Sequence, residues 1–359
     1  QAVAVVPGAL LERDLDFGKR VCTDSLPTLV YAVVGLGLGL TGHGVWSLIW
    51  GRLAGGLVAA LATCWLSPWH PTWRFDRTRA RELVRYGRPV AVAGLVAFLV
   101  VNVDDLVVVR LLGVEALGFY ARAYLLANLP VTSVAHLVNR VAFPAYARLH
   151  GEPGEVAGLY GRLFIAVAVV ALPFALGLIL LAGPFTAVAF GERWAPLVPL
   201  LQWLAAYGLL RALLSNTGPL FNALGNPRAA VGVNALQLGF LAVVLIPFTW
   251  GLGTAGACLA VLVGTLGSGP LALRRATALL GGGWSGHWQV VRPLLLPGAA
   301  MTAVLLAGRF LGHLADAGPG SELALAGTAG VAAYLLTLHR YRPAVLRQTL
   351  HLLQGRVDG

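Results

Sequence analysis

Charge is scarce in this chain. Of its 359 residues, 11% are Asp, Glu, Lys or Arg and 58% are hydrophobic, where ordinary globular proteins carry roughly 25% charged residues. Lysine is scarcer still, occurring once, at Lys19 within Asp16-Phe17-Gly18-Lys19-Arg20. A P-loop needs Gly-Lys-Ser/Thr, so none can be built, and the Asp-Phe-Gly stands without any other kinase element. A pump driven by nucleotide hydrolysis through those devices is excluded. Cys22, Cys64 and Cys258 are isolated in or beside apolar segments and lack metal-type spacing, so they read as small hydrophobes. The eight histidines are scattered, and no metal cage can be assembled from sequence neighbours. No cofactor is expected. Paired acids on long outward loops, the equipment of a membrane glycosyltransferase, are also missing: Glu192 and Asp316 stand alone near 183–194 and 312–321. The chain starts at Gln1 rather than Met, with no charged segment ahead of its first apolar run. Residues 1–11 read as the tail of a helix whose beginning is missing, so a fragment is expected and no signal peptide can be assessed.

What the sequence has in abundance is apolar blocks of about 18–25 residues, long enough to cross a hydrocarbon core at 1.5 Å rise per residue. Besides the remnant at the start, about ten spans are expected, near 24–41, 44–66, 86–109, 117–139, 160–182, 195–222, 229–249, 252–273, 292–311 and 322–339. The net charge of +11 falls in short bursts between these blocks. That distribution is a topology signal, whereas a nucleic-acid-binding protein gathers its cations on one polar domain. If the spans alternate, nearly all cations lie on the side formed by 12–20, 70–88, 140–160, 223–228, 274–292 and the C-terminus. The other side keeps little beyond Arg110, Arg193 and Arg309. The basic side is expected to be cytoplasmic. The longest polar stretch, 69–88, reads as a cytoplasmic linker or interfacial helix with arginines near anionic headgroups. Gly35/Gly39 and Gly51/Gly55 sit at small-xxx-small spacing for close helix packing. A shift of 212 positions superposes Pro7 on Pro219, Gly39 on Gly251, Gly44 on Gly256 and Gly55 on Gly267, the echo expected of duplicated transporter lobes.

Charge inside the spans carries the functional reading. An arginine at the centre of a span costs about 2.5–3.5 kcal/mol on insertion scales and so faces a partner or a wet cavity. Arg52 lies a third of the way into its span, Arg211 near the middle of another, and Arg122 shallower in a third. Guanidinium pairs with phosphate through two hydrogen bonds, so each is a candidate grip on an anionic substrate; the alternative is snorkelling or a structural ion pair. Asn102, Asp104 and Asp105 sit near the end of span 86–109, followed by Arg110. The default there is a structural Asp–Arg110 pair, and the sharper hypothesis is a coupling-ion or proton site. Asn216, with Asn222 and Gln202, marks polar points on the span of Arg211, either bonding between helices or lining the same cavity.

Residues 102–149 carry a more specific signal: Asp105, Arg110-Leu111-Leu112-Gly113, Gly118-x-Tyr120-x-x-Ala123, Pro130 and Phe143-Pro144-Ala145. With the Pro7…Arg13…Phe17 run, Phe190-Gly191-Glu192-Arg193-Trp194 and 219–228 (PLFNALGNPR), this pattern resembles the Wzx-like polysaccharide flippases of the MOP (MATE-like) exporter superfamily. The resemblance implies an all-α polytopic fold of two six-helix lobes around a central cavity, followed by two C-terminal helices. On that template 1–68 is the remnant of the N-terminal lobe, 69–88 the linker, 86–275 the C-terminal lobe, 292–340 the extra pair and 341–359 a basic cytoplasmic tail. The first three helices and most of the fourth are lacking, and so shortened a chain is not expected to transport.

The implied activity is to move a polyprenyl-(pyro)phosphate-linked oligosaccharide, of the undecaprenyl type, from the cytoplasmic to the outer leaflet of a bacterial inner membrane. Its partners are then that glycolipid, membrane lipids and other polysaccharide-assembly proteins, with no nucleic acid. Two rivals stand beside it: a MATE-type small-molecule exporter, and a membrane component or scaffold of a glycan polymerase or glycosyltransferase complex. Exporters of cations carry buried acids in the cavity, whereas the deep charges here are Arg52 and Arg211. An anionic cargo is favoured, with no enzyme chemistry.

Overall fold

The computed structural model describes residues 17–66, 76–135, 142, 145–146, 148–149, 152–281, 284–316, 318–343, 345–346 and 349. Among them the regular structure is all helical. Residues 7–16, the start of the linker at 69–75, Phe143 and Pro144 of the motif, and most of the tail at 341–359 lie outside these described residues. By internal contacts the chain divides into Gln1–Val84 and Arg85–Gly359.

Within the first unit, α1 (Phe17–Leu40) and α2 (Trp46–Leu66) form a tight hairpin. Gly42 and Gly44 turn the chain with φ of 84° and 53°, values that suit a residue without Cβ. Of the two small-xxx-small pairs, Gly51 and Gly55 are the buried one. A Cβ at Gly55 would lie 2.7 Å from the Pro27 carbonyl oxygen, and one at Gly51 would lie 3.0 Å from that of Tyr31. The helices therefore meet backbone to backbone, the means of association available where no hydrophobic effect operates.

Next comes α3 (Arg77–Leu112), which incorporates the described part of the polar stretch into one continuous helix of 36 residues. Asp76 begins it by accepting the backbone N–H groups of Thr78 and Arg79 at 2.9 and 3.2 Å, a side-chain cap for donors that have no helical partner. The division between the two units falls inside this helix, at Val84 and Arg85.

In the second unit follow α4 (Val114–Ala127), a π-helical turn (Val131–Ala135), α5 (Pro153–Leu180), α6 (Ala182–Ala189), α7 (Leu197–Leu214), α8 (Thr217–Ala223), α9 (Pro227–Leu279), α10 (Trp284–Leu314) and α11 (Pro319–Tyr341). The expected span 195–222 appears as the single apolar segment Leu197–Ala223, with a local interruption at Ser215 and Asn216 that divides it into α7 and α8. The 53-residue α9 is two antiparallel arms, because Gly253 at φ 63°, ψ −142° turns the chain. A glycine is required again at Gly256, where a Cβ would strike the Phe248 carbonyl. The arms then stay in contact, with a Cβ at Gly267 meeting the Phe240 ring at 2.6 Å. The 212-residue offset therefore relates Gly55 and Gly267, each at the close approach of a helical hairpin.

The core of the second unit is built around α5 and α7. One apolar cluster joins α4, α7 and both arms of α9, a second joins α5 to α7 and α8, and a third joins α5 to α10 and α11. Polar pairs hold the last of these together. Pro173 and Pro184 bring no N–H, so the carbonyls four residues earlier, Val169 and Leu180, lose their helical donors. The Tyr334 hydroxyl donates to Val169 at 3.0 Å and Arg309 to Leu180 at 2.9 Å. Arg309 also pairs with the nearly buried Glu322 at 3.3 Å. Arg309→Met should therefore lower the thermal stability of the detergent-solubilised protein by the equivalent of about 1.5–3 kcal/mol, as for a charged hydrogen bond left half-made. Adding Glu322→Leu should recover part of the loss, and a second variant as unstable as the sum of its parts would deny the coupling.

Among the described residues, six segments are long and apolar enough to cross a membrane: Trp46–Leu66, Gly154–Leu180, Leu197–Ala223, Pro227–Leu279, Val291–Leu314 and Pro319–Tyr341. Large apolar side chains such as Val33, Leu57, Val243, Trp250 and Leu325 are exposed along the helices, a surface that water would penalise and lipid accepts. The chain is an all-α, multi-pass membrane protein.

Candidate functional site

Arg211 occupies the middle of the apolar segment Leu197–Ala223, and the residues that hold it follow from helical periodicity. Tyr207 precedes it by one turn on α7, while Tyr124 and Asn128 are one turn apart on and just after α4. Its guanidinium donates to the Tyr124 hydroxyl, to Asn128 Oδ1 at 3.2 Å and to the Tyr207 hydroxyl at 3.4 Å. It also lies 5.8 and 6.0 Å from the Tyr124 and Tyr207 ring centres, within cation–π range. The Tyr124 and Tyr207 hydroxyls bond each other at 3.1 Å, and the Asn128 amide is fixed by the Tyr124 carbonyl at 2.8 Å. This seat is made of neutral groups. Among the described residues no carboxylate pairs with Arg211, so its positive charge is oriented and left uncompensated.

The two helices come close enough to form the seat because of Gly208. A Cβ there would drive into the Ala127 carbonyl oxygen and carbon, so α7 rests directly on the backbone at the end of α4.

Beside the seat is a cavity of about 320 Å³. Arg211 and Tyr207 line it from α7, Asn234 and Gln237 from the first arm of α9, and Thr265 and Ser268 from the second arm; α3 adds an apolar wall. Gln237 donates to Thr265 at 3.2 Å, and the Thr265 and Ser268 hydroxyls donate back to their own helix. The cavity is therefore cationic at one wall, amide- and hydroxyl-lined at another, and free of acids.

Of the residues singled out from sequence, Arg211 alone lines this cavity. Asn216 is buried at the α7–α8 break and donates to the Tyr146 hydroxyl at 2.8 Å. Gln202 is exposed and bonds the Ile179 carbonyl at 3.1 Å, and Asn222 is exposed. Asn102 turns its amide back to the Phe98 carbonyl at 2.8 Å. Arg122 is exposed on α4, and Arg52 is exposed on α2 of the first unit.

The expected Asp–Arg110 pair is not formed: Arg110 is exposed and has no ion pair with Asp104 or Asp105. Five or six residues along a helix turn side chains well away from one another. Asp104 is instead buried and accepts the Tyr120 hydroxyl on Oδ2, while its Oδ1 has no hydrogen-bond partner among the described residues. Asp105 is half-buried. Asp104, not Asp105, is thus the aspartate that meets Tyr120 of the Gly-x-Tyr motif. The Phe190–Trp194 motif packs nearby, since Trp194 meets Phe119 edge-on at 5.3 Å. In 219–228, Gly225 at φ 71° ends α8 and Pro227 begins α9.

Sequence reasoning missed Tyr124, Asn128, Tyr207, Asn234 and Gln237. A signal was available: tyrosine–asparagine and tyrosine–arginine at i, i+4, and two amides at i, i+3, each within an apolar run.

Residues 1–199, more than half of the chain, match the family described as "Polysaccharide biosynthesis protein". The chain belongs to that family. The chain is also similar to proteins of known name. The Bacillus subtilis teichuronic acid biosynthesis protein TuaB is 33% identical over 157 residues, 44% of this chain and 32% of TuaB. Escherichia coli lipopolysaccharide biosynthesis protein WzxC is 26% identical over 221 residues, 60% of this chain and 44% of WzxC. The Rhizobium meliloti succinoglycan biosynthesis transport protein ExoT is 28% identical over 198 residues, 55% of this chain and 40% of ExoT. The chain thus spans about a third to a half of the length of these relatives. Among solved structures, the lipid II flippase MurJ in its inward closed conformation shares the fold, with a TM-score of 0.76 at 16% identity over 96% of this chain and 72% of MurJ. These similarities agree with the resemblance read from the Asp, Gly-x-Tyr and Phe-Gly-Glu-Arg-Trp motifs.

Proposed function

We propose that the protein containing this chain is a flippase that moves a polyprenyl-(pyro)phosphate-linked oligosaccharide, of the undecaprenyl type, from the cytoplasmic to the outer leaflet of a bacterial inner membrane. The observation that carries this reading is Arg211, an uncompensated guanidinium held by neutral groups at the wall of a polar cavity within an apolar span. A cation in lipid surroundings is stabilised by an anion that arrives in the cavity, and a phosphate accepts two parallel hydrogen bonds from guanidinium. The relatives are named for teichuronic acid, lipopolysaccharide and succinoglycan biosynthesis, which supports a glycan-bearing cargo. Moving the headgroup breaks no bond, so the task is to desolvate it, neutralise its phosphate and release it on the far side. The arginine-rich connections are assigned to the cytoplasmic face. Other polysaccharide-assembly proteins are the expected neighbours.

The test uses cells deleted for the gene that carries this chain. Lipid-linked oligosaccharide should accumulate on the cytoplasmic leaflet and be cleared by the wild-type gene. Arg211→Ala should slow clearance about 10- to 100-fold, the loss of one charged hydrogen-bond contact. Arg211→Lys should recover only part, because an ammonium supplies charge without the planar fork. A deletion that accumulates nothing, while drug efflux or glycan elongation changes instead, would sink the proposal.

A further inference from the structure

Asn234 and Gln237 follow each other at i, i+3 on the first arm of α9, so both face the cavity that Arg211 lines. Their polar groups are only partly used. Gln237 spends one N–H on Thr265, and among the described residues no hydrogen bond engages the amide of Asn234. Thr265 and Ser268 direct their hydroxyl hydrogens to Val261 and Gly264; Thr265 also accepts Gln237, which leaves the Ser268 oxygen as the freer acceptor for whatever enters. This wall thus offers donors and acceptors side by side and no charge. Polar side chains within a span are expensive, and those without a protein partner point to a ligand pathway. An anion is poorly served by such a wall, since amide oxygens and hydroxyl lone pairs repel it. A hydroxyl group both gives and takes one hydrogen bond, and a planar amide answers both at once. The cavity, about 320 Å³, is at the small end of ligand sites, which run roughly 300–1,000 Å³; it suits a sugar-sized group rather than a whole oligosaccharide.

We infer that Asn234 and Gln237 form a sugar-reading wall, which hydrogen-bonds carbohydrate hydroxyls of the cargo while Arg211 holds the phosphate. The inference rests on the flippase reading and adds the part of the cargo that this wall selects. Arg211 then gives affinity for any lipid phosphate, and the amides give preference for the glycosylated one.

Two probes separate the terms: bare undecaprenyl pyrophosphate, and the lipid-linked oligosaccharide extracted from the deletion strain, each titrated onto the purified protein in nanodiscs. Asn234→Ala with Gln237→Ala should bind bare undecaprenyl pyrophosphate within about twofold of wild type, which also shows that it folds. It should bind the glycolipid about tenfold or more weakly, the loss of one or two neutral hydrogen bonds. Arg211→Ala should weaken both. If the double variant binds both probes like wild type, the wall reads no sugar and the inference fails, while the flippase reading stands. Equal weakening of both probes also overturns it, because the amides would then serve the phosphate. Wild-type protein that binds neither probe brings down the flippase reading and this inference together.

Discussion

Gly208→Leu should abolish clearance of the lipid-linked glycan and markedly lower the thermal stability of the purified protein. A Cβ at this position already runs into the Ala127 carbonyl, which is backbone and cannot rotate away. Overpacking costs about 1–3 kcal/mol where side chains can adjust, and more where they cannot. The leucine must push α7 off the end of α4, which separates Arg211 and Tyr207 from Tyr124 and Asn128. Stability and the cation's seat should therefore fail together. Melting curves in detergent, paired with the leaflet assay, measure both. A Gly208→Leu protein that melts like wild type would show that the two helices are free to part, and the seat would lose its structural basis.

Tyr120→Phe should be the second large effect. Asp104 is buried with no hydrogen-bond partner for Oδ1 among the described residues, and the Tyr120 hydroxyl is its hydrogen bond from another helix. Removing that hydroxyl strands a polar group in the core of α3, α4 and α9. The expected destabilisation is about 1.5–3 kcal/mol or more, since a hydrogen bond to a charge-bearing group is lost without relief of its desolvation. Asp104→Asn keeps an acceptor for Tyr120 and should fold almost as well as wild type. The pair also separates two roles. An Asn variant that is stable and still clears the glycan makes Asp104 a packing device, whereas one that is stable but inactive makes its charge or proton part of transport, the coupling role proposed for this end of α3. Equal melting of Tyr120→Phe and wild type would contradict the burial argument altogether.

How much of this was legible beforehand differs from residue to residue. Arg211 was visible because an arginine inside an apolar run is costly wherever the run is placed. Asn216 was visible on the same ground but proved to brace a helix break, since polarity alone does not tell an interhelical hydrogen bond from a cavity wall. Sequence nearness pairs Arg110 with one of Asp104 and Asp105, and the structure forms neither pair. A helix separates neighbours of that spacing, and Tyr120, 16 residues from Asp104, arrives only once α4 packs on α3. Asn234 and Gln237 escaped notice because each is a mild polar interruption of an apolar arm. Their meaning depends on sharing a cavity with an arginine on α7.

By itself the sequence determined the solvent and the element type. Long apolar blocks with few charges must leave water, and inside lipid each backbone group must find its partner within a helix. It also determined the family, through motifs spaced along helices whose period is known. The tertiary structure decided which polar groups meet. Gly208 lets α7 touch α4, Gly253 folds α9 back on itself, and Pro173 and Pro184 free carbonyls that Tyr334 and Arg309 then take up. Those meetings join residues far apart in the chain, and local periodicity holds no information about distance across a helix bundle.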